Sequence, residues 1–180
     1  MYLPVSVCDF ATLRVAGFGV FYFPHSTWNT SLPLATRTQT SDRAELRAVL
    51  WALQWAEEPT SIYSDNEYVV NGTEYLINNI RDRHAITHKK HADVWKQIAH
   101  HINRLGSQNK YIQWVKGHAD ESHVKKGIIT RTHSTGNYAA DKLTTKGADS
   151  RAMPLRAKLG YHARKLITMI VQKLAIVLLI

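Results

Sequence analysis

The stretch SDRAELRAVLWALQWAEEPTSIYSD, residues 41–65, joins an amphipathic helix pattern to a short strand that ends in a carboxylate. Its apolar residues recur at helical spacing from position 44 to position 56, with Thr40 or Ser41 as the N-cap and Pro59 after the end. The segment that follows is rich in β-branched and aromatic residues, which is typical of a strand. The stretch therefore predicts a helix over 41–58 and a strand over 60–65.

The segments on either side of this stretch also have the composition of strands or the spacing of helices. Three upstream segments have strand composition, with Pro33 marking the third as an edge strand: residues 5–11, 17–23 and 28–38. Downstream, one further strand and three amphipathic helices are predicted: 110–118 for the strand, and 67–80, 91–105 and 137–148 for the helices. The order β-β-β-α-β-α-α-β-α predicts a mixed α/β domain built on one sheet.

The charge of the chain is unevenly distributed. Its 180 residues include 23 Lys and Arg against 14 Asp and Glu, a net charge of +9, but residues 1–80 carry −4 and residues 81–180 carry +13. This division indicates a polyanion held on one surface and processed at a carboxylate site, or else a basic face without a special role. The single cysteine, Cys8, excludes an internal disulfide and indicates a reducing compartment. The N-terminus lacks a signal-peptide pattern, so we expect an intracellular protein.

Four acidic residues fall where strands are predicted to end or helices to begin: Asp9, Glu45, Asp65 and Asp141. Side chains in such positions can converge at one edge of a sheet. Clustered carboxylates repel unless cations neutralise them, and hard oxygen ligands select Mg²⁺ or Mn²⁺. Two such ions about 4 Å apart activate a water and stabilise the leaving oxygen of a phosphodiester. Spacing alone leaves open that each residue is a helix cap or a surface charge.

Three segments together resemble the type 1 ribonuclease H family and occur in the family's order: SDRAELRAVLWAL (41–53), SIYSDNEYVVNG (61–72) and WVKGHAD…GNYAADKLTTKGA (114–120 and 136–148). The resemblance covers about residues 3–148 and implies a ribonuclease H-like α/β fold, a five-stranded mixed sheet flanked by helices. We therefore expect a catalytic domain over residues 1–148 and a C-terminal extension over residues 149–180.

The resemblance also implies an activity. Asp9, Glu45, Asp65 and Asp141 match the family's four metal-binding carboxylates, and His118 matches a mobile-loop histidine that assists proton transfer or product release. The implied reaction is endonucleolytic hydrolysis of the RNA strand of an RNA–DNA hybrid with two Mg²⁺ ions, for which Mn²⁺ is a possible substitute. The 2′-OH identifies the strand that is cut. No small-molecule cofactor is expected.

Substrate-binding residues are expected in two regions. The neighbours of the catalytic Glu read the minor groove in the family, which points here to Ser41, Asp42 and Arg43. The basic stretch over residues 80–104 matches a protrusion with which some members grip the hybrid. Its predicted phosphate contacts are Arg81, Arg83, Lys89, Lys90 and Lys96. Its five histidines are not expected to bind a metal, and Trp95 is expected in the core.

The chain departs from the family pattern at three places. Phe10 follows Asp9 where the family has glycine, and Asp42 stands where relatives often have asparagine. An insert over residues 121–135 follows the His118 loop and is either a substrate clamp or a longer mobile loop. None of the three departures removes a carboxylate, so activity is expected.

Residues 149–180 lie outside the resemblance and are first basic, then apolar. As a helix, the last 15 residues would span about 22 Å, short of the ~30 Å hydrocarbon core, so a membrane anchor is not favoured. The extension is expected to cover an exposed face or to dock a protein partner. Three functions stay open: a free-standing ribonuclease H, the ribonuclease H portion of a reverse transcriptase, and a module that binds nucleic acid without cutting it.

Overall fold

The computed structural model describes residues 2–3, 15–79, 89–106 and 111–151, with the pairs 159–160, 163–164 and 166–167. These residues form five strands and five helices in an α/β arrangement. In chain order the elements are β1 (Tyr2–Leu3), β2 (Gly17–Val20), β3 (Thr30–Pro33), α1 (Ser41–Trp55), β4 (Ile62–Ser64), α2 (Glu67–Asn78), α3 (Ala92–Leu105), β5 (Ile112–Trp114), α4 (Glu121–Lys125) and α5 (Arg131–Asp149).

The described strands form two groups, a parallel group of three strands and an antiparallel pair. β4 lies between β1 and β5 and is parallel to both, with Ser64 opposite Trp114. β2 and β3 form an antiparallel pair in which Gly17 lies opposite Pro33. The first predicted strand, residues 5–11, lies outside the described residues together with Asp9 and Phe10.

The core lies where α1 and α3 pack together over the sheet. Leu46 and Leu53 of α1 are fully buried, as are Ile98 and Ile102 of α3. Trp95 is also fully buried, so the prediction that it belongs to the core is confirmed. Thr40 caps α1 as predicted, because its hydroxyl accepts a hydrogen bond from the Arg43 backbone N–H.

The helix α5 packs on the β2–β3 pair and approaches it closely at three glycines. We call Gly17, Gly19 and Gly147 the glycine seam. A Cβ added at Gly19 would lie 2.7 Å from the backbone oxygen of Ala140, and one at Gly147 would lie 2.6 Å from the backbone oxygen of Leu32. Helix and strands approach this closely because glycine has no side chain at the contact.

The region after His118 differs from the prediction of a polar loop followed by a helix over 137–148. Part of the insert forms α4, and α5 begins at Arg131, so Asp141 lies in the middle of a helix and not at its start. Asp120 caps α4 by accepting hydrogen bonds from the Ser122 and His123 N–H groups, and Thr130 caps α5. α4 and the first turns of α5 are polar and lack the apolar periodicity on which the prediction relied.

The end of α1 was also predicted too late in the chain. α1 ends at Trp55 instead of residue 58, before Glu57 and Glu58. Most of the extension over residues 149–180 lies outside the described residues, so its docking role stays a prediction. Within the described parts of the chain, no helix combines the length and hydrophobicity needed to cross a membrane.

Candidate active site

A cavity of about 470 Å³ opens beside the end of β4 and the first turns of α1. Nine residues line it: Ser41, Glu45, Asp65, Asn66, Glu67, Tyr68, Gly117, His118 and Asp141. Four of the predicted catalytic residues thus share one cavity, namely Glu45, Asp65, His118 and Asp141. The fifth, Asp9, lies outside the described residues.

Four different elements bring these side chains together. Glu45 lies on the second turn of α1, and Asp65 directly follows β4. His118 follows β5 in a loop, and Asp141 lies halfway along α5. Because α1 and α5 are both packed on strands, the cavity is bounded by elements that the core fixes in place.

Glu45 is the most deeply buried member of the group, with 1% of its surface exposed. Burial, followed by the negative charge of Asp65, raises its pKa well above the usual value. The Ser64 hydroxyl donates a hydrogen bond of 3.5 Å to Glu45 Oε2 and partly opposes this rise. A carboxyl group in this environment favours either a proton or a neighbouring cation.

The environments of Asp65 and Asp141 also favour a proton or a neighbouring cation at each carboxyl group. Burial raises the pKa of both, while the Asn137 amide opposes the rise at Asp65 and His118 opposes it at Asp141. Space for Asp65 depends on Gly117, because a Cβ there would lie 2.5 Å from Asp65 Oδ2.

His118 stands at the edge of the cavity and faces solvent. Its side chain is 87% exposed, and its Nδ1 lies 3.8 Å from Asp141 Oδ2. Its backbone has a φ of 49°, in the left-handed region that few residues other than glycine adopt. A histidine so placed can exchange protons with solvent beside a carboxylate of the cavity.

The chemistry of these donors suits a hard divalent cation. The three predicted ligands that the structure describes, Glu45, Asp65 and Asp141, offer carboxylate oxygens, and the charges of Asp65 and Asp141 both raise the pKa of Glu45. A cation would relieve this repulsion. In the described part of the chain, no three His, Cys, Asp or Glu side chains form a ready-made metal site, and the fourth predicted ligand, Asp9, falls outside that part.

Most of the predicted substrate-binding residues near α1 form ion pairs within the protein. Lys90 Nζ lies 2.8 Å from Asp42 Oδ2, and the Arg43 guanidinium forms two hydrogen bonds to Asp93, one of them 2.9 Å long. We call these the crossed ion pairs, since they tie the start of α1 to the start of α3. Ser41, in contrast, lines the cavity itself.

The remaining predicted substrate-binding residues have different settings. Lys89 Nζ lies 4.3 Å from the centre of the Tyr75 ring, and Lys96 is exposed on α3. Arg81 and Arg83 lie outside the described residues. Direct contact of any of these residues with a substrate stays a prediction.

Comparison with known proteins assigns the family. The sequence model of the RNase H family matches residues 7–149. The chain belongs to the ribonuclease H family. The prediction made from the three sequence segments is confirmed.

Curated relatives carry the same name. The ribonuclease HI of Pasteurella multocida is 34% identical over 134 residues, which cover 68% of this chain and 71% of that protein. The ribonuclease H of Schizosaccharomyces pombe is 29% identical over 135 residues, 74% of this chain. The matched region spans about half, 46%, of the S. pombe protein. The prediction of a ribonuclease H enzyme agrees with these names.

Solved structures support the fold. The PFV RNase H domain superposes with a TM-score of 0.57 at 23% identity, covering 83% of this chain and 93% of that one. The foamy viral protease–reverse transcriptase in complex with RNA/DNA hybrid gives a TM-score of 0.53 at 22% identity, covering 82% of this chain and 19% of that one. The predicted ribonuclease H-like fold is confirmed.

Three residues of this ribonuclease H site were not singled out from the sequence: Ser64, Gly117 and Asn137. Ser64 and Gly117 each adjoin a predicted catalytic residue, Asp65 and His118. Asn137 precedes Asp141 by four positions, so both lie on the same face of α5. That spacing was a usable signal, since the predicted helix over 137–148 already contains both residues.

The raised pKa of Glu45 predicts how the stability of the metal-free ribonuclease H domain depends on pH. Below the usual pKa of about 4.5, the folded and the unfolded protein both hold a proton on Glu45, and the stabilising contribution of this side chain is fully present. This contribution is lost as pH rises through the raised pKa of the folded protein. Each unit of the rise costs about 1.4 kcal/mol of unfolding free energy. Urea unfolding in EDTA between pH 4.5 and 8 measures this loss.

A Glu45→Gln variant provides the control for this measurement. It keeps the size of the side chain but cannot ionise, so the difference in unfolding free energy between variant and wild type should widen in favour of the variant as pH rises. A difference that stays constant with pH would show that Glu45 ionises normally in the folded protein.

Proposed function

We propose that this protein is a divalent-metal-dependent endonuclease that hydrolyses the RNA strand of RNA–DNA hybrids. The observation that carries the proposal is the convergence of Glu45, Asp65 and Asp141 on one cavity, with His118 at its edge. Membership of the ribonuclease H family supports it. So does the fold similarity to a foamy viral protease–reverse transcriptase that was solved with an RNA/DNA hybrid.

Glu45, Asp65 and Asp141, together with Asp9, are the residues that would hold the metal. Mg²⁺ bound there would supply Lewis-acid activation of a water and of a phosphodiester oxygen, and Mn²⁺ could replace it. The protein contributes a fixed set of negative charges for the ions. Ser64 orients Glu45 through the hydrogen bond to its Oε2.

His118 is proposed to carry protons between the cavity and solvent. Its ring nitrogens are accessible because the side chain is 87% exposed, and its Nδ1 lies 3.8 Å from Asp141 Oδ2. A residue in this position can protonate a leaving oxygen or help a product to depart.

The hybrid is proposed to lie across α1 and the start of α3. Ser41 lines the cavity, and Lys89 and Lys96 supply positive charge on the adjoining surface. Lys90 is paired with Asp42, which removes a negative charge that would otherwise face the phosphates. Binding through such lysines should weaken as salt concentration rises.

A cleavage assay on matched duplexes tests the proposal. In Mg²⁺, the purified protein should cut the labelled RNA strand of a hybrid and leave double-stranded RNA and double-stranded DNA of the same sequence intact. EDTA should abolish cutting, because the carboxylates alone do not activate a water. The products should carry 3′-hydroxyl and 5′-phosphate ends.

One result would reject the enzyme and favour a binding module. Tight hybrid binding without cleavage in either Mg²⁺ or Mn²⁺ would mean that the cavity holds nucleic acid but does not hydrolyse it. Equal cutting of all three duplexes would contradict the proposed substrate and leave a nonspecific nuclease.

A further inference from the structure

One buried polar side chain beside the cavity has no part in the mechanism above. Asn137 lies on α5 and is only 3% exposed. Its Nδ2 donates a hydrogen bond of 3.3 Å to Asp65 Oδ2. Its Oδ1 is buried and finds no hydrogen-bond partner among the described residues.

The orientation of this amide follows from its partner. A carboxylate oxygen accepts hydrogen bonds, so the NH₂ end of Asn137 must face Asp65, and the opposite orientation would set two acceptors against each other. Among the residues that the structure describes, the amide therefore makes one hydrogen bond, the one to Asp65. Asp65 in turn is confined by Gly117, where there is no room for a Cβ.

Since Oδ1 has no donor among the described residues, it indicates the role of the hydrogen bond to Asp65. A buried acceptor without a donor opposes folding, and an apolar side chain of similar size would avoid that cost. The gain from an asparagine here is thus the hydrogen bond to Asp65, not its contribution to the core. The same helix carries Asp141 four positions later.

We propose that Asn137 is a positioning residue that fixes the orientation of the Asp65 carboxylate relative to Asp141. This inference rests on the proposed function, since the orientation matters for metal binding and cleavage. Residues that orient metal ligands through a hydrogen bond typically change affinity or activity about 10–100-fold when they are removed.

The hydrogen bond itself can be tested without activity. In NMR spectra of ¹⁵N-labelled protein, the side-chain NH₂ of Asn137 should exchange with solvent more slowly than that of Asn71, which is exposed on α2. Its chemical shift should move in an Asp65→Asn variant. Exchange as fast as at Asn71, or an Asn137 chemical shift that stays the same in the Asp65→Asn variant, would overturn the proposal.

Variants of Asn137 test the consequence. Asn137→Ala should lower kcat for hybrid about 10–100-fold and leave KM within about twofold. The affinity for Mg²⁺, measured by calorimetry without substrate, should fall as well. Asn137→Asp keeps the shape but sets a second carboxylate against Asp65, so its effect on both quantities should be larger.

Thr144→Val provides a control on the same helix. Thr144 is fully buried and packs near Gly19, away from the cavity. This variant should lower the melting temperature without changing kcat or Mg²⁺ affinity. If Asn137→Ala behaves in the same way, its role is structural and the proposal is wrong.

The calorimetric and NMR measurements separate this inference from the proposed function, because neither of them depends on cleavage. A wild-type protein that binds Mg²⁺ but does not cleave hybrid defeats the proposed function, and calorimetry then still decides whether Asn137 acts on Asp65. A wild-type protein that binds no Mg²⁺ leaves the decision to the NMR measurement.

Discussion

An Asp65→Asn variant is expected to cleave hybrid about a thousandfold or more slowly than wild type while binding it with similar affinity. The substitution keeps the shape of the side chain but removes its charge. Asp65 lies in the cavity with Glu45 and Asp141, where the charge of the carboxylate is what would hold a divalent ion. The phosphates of the hybrid are expected to meet lysines outside the cavity, so affinity should change little.

Single-turnover cleavage in Mg²⁺ and fluorescence anisotropy in EDTA measure the two effects separately. Glu74→Gln is a matched control, since Glu74 is exposed on α2 and does not line the cavity. It should retain full activity. An Asp65→Asn variant with more than about a tenth of wild-type activity would exclude Asp65 from the catalytic group.

A Gly19→Val variant is expected to lose about 3 kcal/mol or more of unfolding free energy, or to fail to fold. The first added carbon would lie 2.7 Å from the Ala140 oxygen and 2.7 Å from the Thr144 nitrogen, both backbone atoms of α5. Backbone atoms of a helix cannot turn aside as the end of a flexible side chain can. The helix would have to move away from β2.

Urea unfolding monitored by circular dichroism measures this loss. Gly160→Val is the matched control, because among the described residues a Cβ at Gly160 would meet the end of the Arg164 side chain and nothing closer, at 3.9 Å. It should change the unfolding free energy by less than about 1 kcal/mol, the helix-propensity difference. A Gly19→Val protein as stable as wild type would show that α5 does not pack as closely on β2 as described.

The parts of the fold that the sequence predicted are those that local patterns determine. The helices α1, α2 and α3 have buried faces at regular spacing, and their starts were predicted within about one residue. After His118, the helix over 137–148 was predicted, but α4 and the first turns of α5 were not, because they are polar and are held by the caps Asp120 and Thr130. Contacts between distant positions, such as Asp42 with Lys90, leave no local pattern.

For the candidate site, too, local patterns predicted only part of the arrangement. Spacing left open whether Glu45, Asp65 and Asp141 meet, and it was the resemblance of three segments to one family that predicted their convergence. The cavity contains all three. The pairing of Arg43 with Asp93 and the burial of Asn137 could not be predicted, since both depend on how α1, α3 and α5 lie against neighbouring elements.

The helix α5 spans 19 residues, about 28 Å, without interruption. At one end Gly147 meets the strands, and farther along Asp141 lines the cavity and Asn137 reaches Asp65 beside it. The distance between α5 and the strands therefore sets how far these two side chains reach toward Asp65. Selection for cleavage would act on glycines that never touch the nucleic acid, and a relative with a larger residue in the seam would need a compensating change in its cavity.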